Sequence, residues 1–106
     1  MSYAYLVIYE GKPDHPQAFL RYYIDHHLPI VWTFPKIRRV EVERSVDSGD
    51  IFMIARLSFD TLEDLQMAIV SPERERARAD MSNFPPFKGT VSRQTVEVLE
   101  VPRKQS

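Results

Sequence analysis

The sequence predicts a single α+β domain, and three observations lead to that prediction. The chain has 106 residues, of which 43% are hydrophobic and 27% charged, as is typical of one globular domain. Segments with strand and helix patterns follow one another in the order βαββα(α)β, where the second helical region comes in two pieces. That order favours a split βαβ arrangement, in which a four-stranded antiparallel sheet carries its helices on one face.

Composition argues against several classes of function. The net charge is −1, with acidic and basic residues interleaved, so there is no electrostatic case for nucleic-acid binding. No cysteine is present for disulfides or thiolate metal sites. No apolar run approaches the roughly 18 residues of a membrane span, and the N-terminus lacks a signal-peptide pattern. We therefore expect a cytoplasmic domain without a membrane partner. Separately, the polar end of the chain predicts a mobile tail at 103–106.

Side-chain alternation predicts the strands and the turns between them. The first strand is apolar on both faces, so we expect it at the centre of the sheet, whereas the second places Val40 and Val42 on one face and charged residues on the other. Residues 11–14 and 47–50 carry turn formers, and the second of these turns closes a hairpin. Residues 83–89 are expected to form a packed loop. The predicted strands span residues 3–9, 37–44, 51–59 and 91–101.

Capping residues and prolines predict where the first helix begins and ends. Asp14 or His15 caps its start. We expect its end near Leu28, because Pro29 disfavours the helical conformation of the residue before it. The apolar segment 30–35 should then fold back over the core.

The second helical region is predicted to begin twice. Asp60 caps the first piece, with Glu63 completing a capping box, and Ser71 caps the second piece. Ala77 and Met81 are the inward contacts of the second piece. The rest of its E-R-E-R run is expected to be a solvated face with i, i+4 ion pairs and no function.

The first helix places a histidine in the middle of its apolar stripe. At about 100° per residue, Phe19, Tyr23 and His27 fall at roughly 0°, 40° and 80°, and Leu20 and Ile24 complete the stripe. A group whose ordinary pKa is about 6.5 is thus directed at the core. We expect His27 to be buried beside a cavity, with a tyrosine hydroxyl or a backbone carbonyl in hydrogen-bond range.

Apolar residues on both faces of the strands predict a second copy of the chain. The helices cover one sheet face, and a bare apolar face implies a partner. We expect a homodimer that packs sheet against sheet and buries about 1,600 Å² or more. The expected fold is a ferredoxin-like domain over residues 1–106.

An aromatic helix followed by a histidine–proline motif resembles the EthD family of the dimeric α/β-barrel superfamily. Residues 56–60, 71–73 and 79–81 are similar to the second half of that family. The resemblance implies a homodimer with a pocket between sheet and helices in each subunit. The residues that carry the motif are Phe19, Tyr22, Tyr23, His27, Pro29, Ile30 and Pro35.

The resemblance leaves the activity open. EthD proteins accompany oxidative degradation pathways and are often labelled reductases. Relatives in the superfamily include lactone isomerases, polyketide cyclases, cofactor-free monooxygenases and haem proteins. The haem proteins ligate iron through a histidine late in the chain, and this sequence has no histidine after His27, so haem is not expected.

No other cofactor or metal is expected. The sequence has no glycine-rich phosphate loop for a nucleotide. The side chains of His26 and His27 diverge by about 100° and cannot chelate one ion. His26 lies on the flank of the helix and should be exposed and expendable.

The candidate catalytic residues are His27, Tyr23 and Tyr22, and the candidate substrate contacts are Tyr9, Trp32, Phe34 and Arg39. Each has a structural alternative. The histidine and tyrosines could be packing groups, Trp32 and Phe34 a lid on the core, and Arg39 and Arg56 members of ion pairs with Glu41 or Glu43.

Two functional hypotheses remain open at this stage. One is a cofactor-free enzyme, of isomerase, cyclase, lyase or oxidoreductase type, that acts on a small apolar oxygenated substrate such as a lactone, phenol or polyketide-like compound. His27 would move a proton and a tyrosine hydroxyl would hold the oxyanion. The other is a non-catalytic ligand-binding or accessory protein of an oxidative degradation pathway.

Overall fold

A computed structural model of the chain describes residues 1–104 and confirms the α+β, ferredoxin-like architecture. The sheet is antiparallel throughout, with the strand order β2-β3-β1-β4. The first strand is central, as predicted. The strands are β1 Ser2–Pro13, β2 Arg39–Arg44, β3 Ile51–Phe59 and β4 Phe87–Val98.

The helices follow β1 and β3 and pack on one face of the sheet. A π-helical turn joins the first two helices into one continuous rod, and a 3₁₀ turn extends the last helix. These elements are α1 Pro16–Tyr22, the π turn Tyr23–His27, α2 Leu28–Val31, α3 Leu62–Ile69, α4 Pro72–Asp80 and the 3₁₀ turn Met81–Asn83.

Strand register separates a covered sheet face from an open one. Tyr5 pairs with Leu57 and Tyr9 with Met53, so these buried side chains share the face under the helices. Phe19 of α1 packs edge-on against the ring of Tyr9 at 6.0 Å. The helix-facing core therefore runs from the middle of β1 and β3 to the first helix.

Within residues 1–104 the opposite sheet face carries no helix. Leu6, Ile8 and Ile54 are half-buried there at the centre of the sheet. Arg56 of this face donates to the Glu43 carboxylate at 3.1 Å, which is the predicted structural ion pair. Arg39 is exposed on the edge strand of the same face.

The turn predicted at residues 11–14 is wrong, because β1 continues to Pro13 and pairs with the beginning of β4. Gly11 and Gly89 lie opposite each other with φ angles of +124° and +157°. A Cβ atom on either glycine would collide with backbone of the facing strand. The glycine pair thus allows a close approach that lengthens both strands, and β4 spans Phe87–Val98 instead of 91–101.

The predicted end of the first helix near Leu28 is also wrong. Leu28 donates its N–H to the carbonyl of Tyr23, five residues back, which defines the π turn. The wider turn makes room ahead of Pro29, so its ring does not break the helix, which continues to Val31. Ile24, at the edge of the predicted apolar stripe, is 53% exposed.

The remaining boundaries differ little from prediction. Thr61, not Asp60, caps α3, and its hydroxyl accepts from the N–H of Asp64 at 3.0 Å. Ser71 caps α4 as predicted. Within residues 1–104 no helix is long and apolar enough to cross a membrane. The tail predicted at 103–106 extends beyond the described residues.

Candidate active site

A histidine and a carboxylate from two distant helices form the centre of the candidate site. Nδ1 of His27, at the end of the π turn, lies 3.0 Å from Oδ2 of Asp80, the last residue of α4. Both side chains are nearly buried, at 7% and 11% exposure. The polar neighbour of His27 is therefore a carboxylate, and the expectation of a tyrosine hydroxyl or a backbone carbonyl is wrong.

Two further donors hold the carboxylate in place. The Tyr22 hydroxyl donates to Oδ1 of Asp80 at 2.7 Å, and the Asn83 amide donates to the same atom at 3.1 Å. The ring of His27 stacks on Tyr23 at 5.1 Å and meets the edge of Phe84 at 4.7 Å. Imidazole and carboxylate are thus fixed from both sides.

The environment favours a neutral imidazole beside an ionised carboxylate. Burial lowers the pKa of His27, and the hydrogen bond and charge of Asp80 only partly offset this effect. For Asp80, burial pushes the pKa upward, but the hydrogen bonds from Tyr22, Asn83 and His27 outweigh it and lower the pKa overall. An ionised carboxylate only accepts hydrogen bonds, so Nδ1 carries the imidazole proton and Nε2 has a free lone pair.

The histidine borders a cavity of about 40 Å³ between the sheet and the helices. In this conformation the cavity could hold about two or three water molecules. Tyr9 of β1 and Tyr23 of the π turn line the same cavity, as do Val31 and Phe34. The π turn supplies both His27 and Tyr23, and such turns are frequent at functional sites.

The hydroxyl of Tyr9 is fully buried and has no hydrogen-bond partner among the described residues. Burial raises its pKa, while the Tyr23 hydroxyl and the charge of Arg93 act in the opposite direction. Burial, and then the nearby Tyr9, raise the pKa of Tyr23 well above the usual range. Two tyrosines with protonated hydroxyls therefore line the cavity that His27 borders.

The structure places the sequence-predicted residues in three groups. His27, Tyr23, Tyr9 and Phe34 line the cavity. Tyr22 lies behind it and contacts Asp80 instead. Trp32 is 51% exposed, so the expectation that it covers the core is wrong, and neither it nor Arg39 lines the cavity. His26 is exposed and stacks on Tyr22.

The site residues that sequence reasoning missed are Asp80, Arg93, Arg74 and Arg78, of which the three arginines line the cavity. Asp80 directly precedes the inward Met81 and follows Ala77 by three positions, so helical spacing already placed it next to the buried face of α4. Arg93 pairs with Val7, so it shares the covered sheet face and lines the cavity. Residues 1–104 contain no cluster of three or more potential metal ligands.

Comparison with curated proteins identifies the family. A Rhodococcus erythropolis protein, the "uncharacterized 11.0 kDa protein in thcB-thcC intergenic region", is 30% identical over 86 residues. The match covers 77% of this chain and 82% of that protein. This chain belongs to the family of the Rhodococcus protein. No protein-family model matches the sequence.

Solved structures confirm the EthD resemblance at the level of the fold. An ethyl tert-butyl ether D (EthD) family protein from Bacillus halodurans superposes with a TM-score of 0.80 at 24% identity, covering 93% of this chain and all of that one. A dimeric protein of ferredoxin-like fold from Bacteroides fragilis gives 0.65 at 16% identity, over 92% of this chain and 96% of that one.

The same fold occurs in an oxygenase. A point mutant of SnoaB from Streptomyces nogalater, described as a cofactor-independent oxygenase, superposes with a TM-score of 0.69 at 11% identity. The match covers 97% of this chain and 98% of that one. The Rhodococcus family thus has the ferredoxin-like fold of EthD and dimeric α/β-barrel proteins.

Proposed function

We propose that this chain is a cofactor-free enzyme that moves a proton on a small, largely apolar, oxygenated substrate such as a lactone, a phenol or a polyketide-like compound. The observation that carries the proposal is the 3.0 Å contact between His27 and Asp80 at the wall of an apolar cavity. A buried histidine whose tautomer is fixed by a carboxylate is the arrangement of a general base.

The proton transfer uses the free nitrogen of His27. Asp80 accepts a hydrogen bond from Nδ1–H, which leaves Nε2 free to take a proton from the substrate carbon next to a carbonyl group. The substrate becomes an enolate, and the imidazolium is stabilised by the Asp80 carboxylate. Return of the same proton from Nε2 to a different atom of the enolate completes an isomerisation and regenerates the neutral imidazole.

The two tyrosine hydroxyls are suited to hold the developing oxyanion. Tyr9 has a buried hydroxyl without a partner, so a substrate oxygen would satisfy it. Tyr23 lines the same cavity. The raised pKa of both phenols keeps them protonated as hydrogen-bond donors. Substrate deprotonation would also be a first step toward cofactor-free oxygenation, the activity attributed to SnoaB.

A homodimer through the open sheet face is part of the proposal. Leu6, Ile8 and Ile54 leave an apolar centre on that face, and a second copy would cover it. The Bacteroides neighbour of the same fold is described as dimeric. The cavity lies on the opposite, helix-covered face, so each subunit would keep its own site.

Hydrogen–deuterium exchange tests the proposed chemistry without knowledge of the product. A panel of lactones, ketones and β-dicarbonyl compounds is incubated with the protein in D₂O, and loss of the signal of the C–H next to the carbonyl is followed by NMR. We expect wild-type protein and the exposed-site control His26→Gln to accelerate exchange, and His27→Gln not to. Binding in a thermal-shift assay without accelerated exchange would favour the non-catalytic ligand-binding protein instead.

A further inference from the structure

Three arginines form one wall of the cavity. Arg74 and Arg78 project from α4, one helical turn apart, and Arg93 projects from β4 on the covered sheet face. The inward face of α4 thus alternates small or apolar residues with basic ones. Arg78 and Arg93 are exposed, as the prediction of a solvated helix face expects for Arg78, whereas Arg74 is half-buried.

These arginines are not neutralised at the cavity by carboxylates of the described chain. Arg74 donates only to neutral oxygens, the hydroxyl of Tyr5 at 3.1 Å and the carbonyl of Ile69 at 3.3 Å. Arg93 donates to the sulfur of Met81 at 3.3 Å. No Asp or Glu is among the described residues that line the cavity.

The nearby carboxylates are engaged elsewhere. Asp80 is turned toward His27, Tyr22 and Asn83, which together occupy both of its oxygens. Glu75 approaches Arg78 at 3.7 Å, but both side chains are more than half exposed, so this pair contributes little. The described lining of the cavity thus carries three guanidinium groups and no carboxylate, with Arg74 half-buried and Arg78 and Arg93 exposed.

We propose that the substrate of this site is an organic anion, a lactone, phenol or keto compound that carries a carboxylate. The proposal rests on the proposed function, because it uses the same cavity and places the reacting carbon at His27. Arg74 and Arg78 bind the carboxylate by charge-assisted hydrogen bonds. Arg93 and the orphan hydroxyl of Tyr9 receive the oxygen at the other end of the molecule.

Two features favour a built anion site over a chance grouping of surface arginines. Arg74 is already held in place by the two hydrogen bonds named above, and its guanidinium carbon lies 6.0 Å from the centre of the Tyr5 ring. Independently, Tyr9 is 1% exposed and its hydroxyl lacks a partner at the same cavity. A bound oxygen ligand would complete the hydrogen bonding of this hydroxyl, which the Tyr23 hydroxyl also approaches.

The test compares matched anionic and neutral probes by NMR titration. The probes are 4-hydroxybenzoate against 4-hydroxybenzamide, and benzoate against benzamide. We expect each carboxylate to bind wild-type protein about tenfold more tightly than its amide, with shifts of the Arg74 and Arg78 side-chain signals. Equal affinity within each pair, or no binding of either carboxylate, would overturn the proposal.

Variants test whether the preference for carboxylate over amide probes depends on the arginines that line the cavity. The double variant Arg74→Gln, Arg78→Gln should lose the tenfold preference, while Arg76→Gln, an exposed arginine of the same helix, should keep it. His27→Gln should keep the preference for carboxylates although it loses proton exchange. The binding result can therefore be interpreted even if the catalytic proposal fails. A preference that survives in the double variant would show that other groups bind the anion and would refute the assignment.

Discussion

His27 and Asp80 lie 53 positions apart in the chain, yet Nδ1 of one and Oδ2 of the other are 3.0 Å apart. The contact joins the end of the π turn to the end of α4, so it depends on both helices packing on the same sheet face. The contact determines which chemistry His27 can perform. Without Asp80 the residue would be a buried imidazole, and with it the ring has a fixed tautomer and a free Nε2.

Replacing the carboxylate tests that relationship. We expect Asp80→Asn to lower the rate of substrate C–H exchange by about 10²- to 10⁴-fold, because the amide no longer stabilises the imidazolium or fixes the Nδ1–H tautomer. Asp25→Asn removes the same charge from an exposed position of the π turn and should leave exchange unchanged. Equal exchange by wild type and Asp80→Asn would remove the carboxylate from the mechanism.

Stability should fall on acidification in two separate pH windows. The pKa of folded His27 is below its ordinary value of 6.5, so the unfolded chain binds this proton first and stability declines as pH falls below about 6.5. The pKa of folded Asp80 is below its ordinary value of 3.8, so its contribution is lost only below about that pH.

Urea unfolding across this pH range checks the first window. We expect the wild-type midpoint to drop between about pH 7 and pH 5, and the drop to be smaller in His27→Gln, which cannot take up the proton. A urea midpoint that rises on acidification in wild type would mean that the ion pair with Asp80 outweighs burial and that the pKa of His27 is raised, not lowered.

Removing the orphan hydroxyl should separate stability from activity. Tyr9→Phe deletes a buried group that has no partner, so the free energy of unfolding should stay the same or rise by up to about 1 kcal/mol. Exchange activity should fall about 10²-fold, because an oxyanion donor is lost. Denaturant unfolding and the exchange assay measure the two quantities on the same sample.

Tyr22→Phe is the matched comparison for Tyr9→Phe. It removes the 2.7 Å bond to Asp80 and should destabilise the fold by about 1–2 kcal/mol. A marked loss of stability in Tyr9→Phe would instead show that its hydroxyl already has a partner.

The facing glycines of β1 and β4 give a prediction about the sheet alone. Gly11→Ala should cost more than about 1 kcal/mol, because the new methyl meets the Lys88 carbonyl and φ is +124°. Gly49→Ala, in the hairpin turn, meets only the Asp47 side chain at 3.8 Å and should be nearly neutral. Thermal unfolding of both variants distinguishes this from a general intolerance of alanine.

The open sheet face predicts how the assembly can be broken. Ile54→Lys places a charge at its apolar centre, and we expect light scattering to show a dimer for wild type and a monomer for this variant. Met67→Lys, at an exposed position of α3, should remain dimeric. Wild-type protein that is monomeric at micromolar concentration would contradict the sheet-to-sheet dimer.

Local chemistry explains which boundaries were predictable. Ile51–Phe59 matches the predicted third strand, and Ser71 caps α4, because period-two alternation and a Ser–Pro start are short-range signals. Gly11 predicts a turn from the sequence alone, because its freedom of φ suits turns as well as close strand contact. Only the presence of Gly89 across the sheet decides between the two.

Pro29 is a second residue whose local signal does not decide the structure, here within a helix. Its effect on the preceding residue favours a helix end, and the π turn that relieves its clash has no clear local signature. The wheel also made the buried face of this helix too wide, since Ile24 at its edge is 53% exposed.

By itself the sequence determined the element order, the amphipathic faces, the burial of His27 and the EthD-like fold, because these follow from periodicities and motifs within one segment. The tertiary structure alone decided that Asp80 meets His27, that Arg93 joins Arg74 and Arg78 at one cavity, and that the Tyr9 hydroxyl has no hydrogen-bond partner within residues 1–104. Each of these contacts joins segments that are distant in the chain. Their distances depend on how helices and strands pack, which no local pattern encodes.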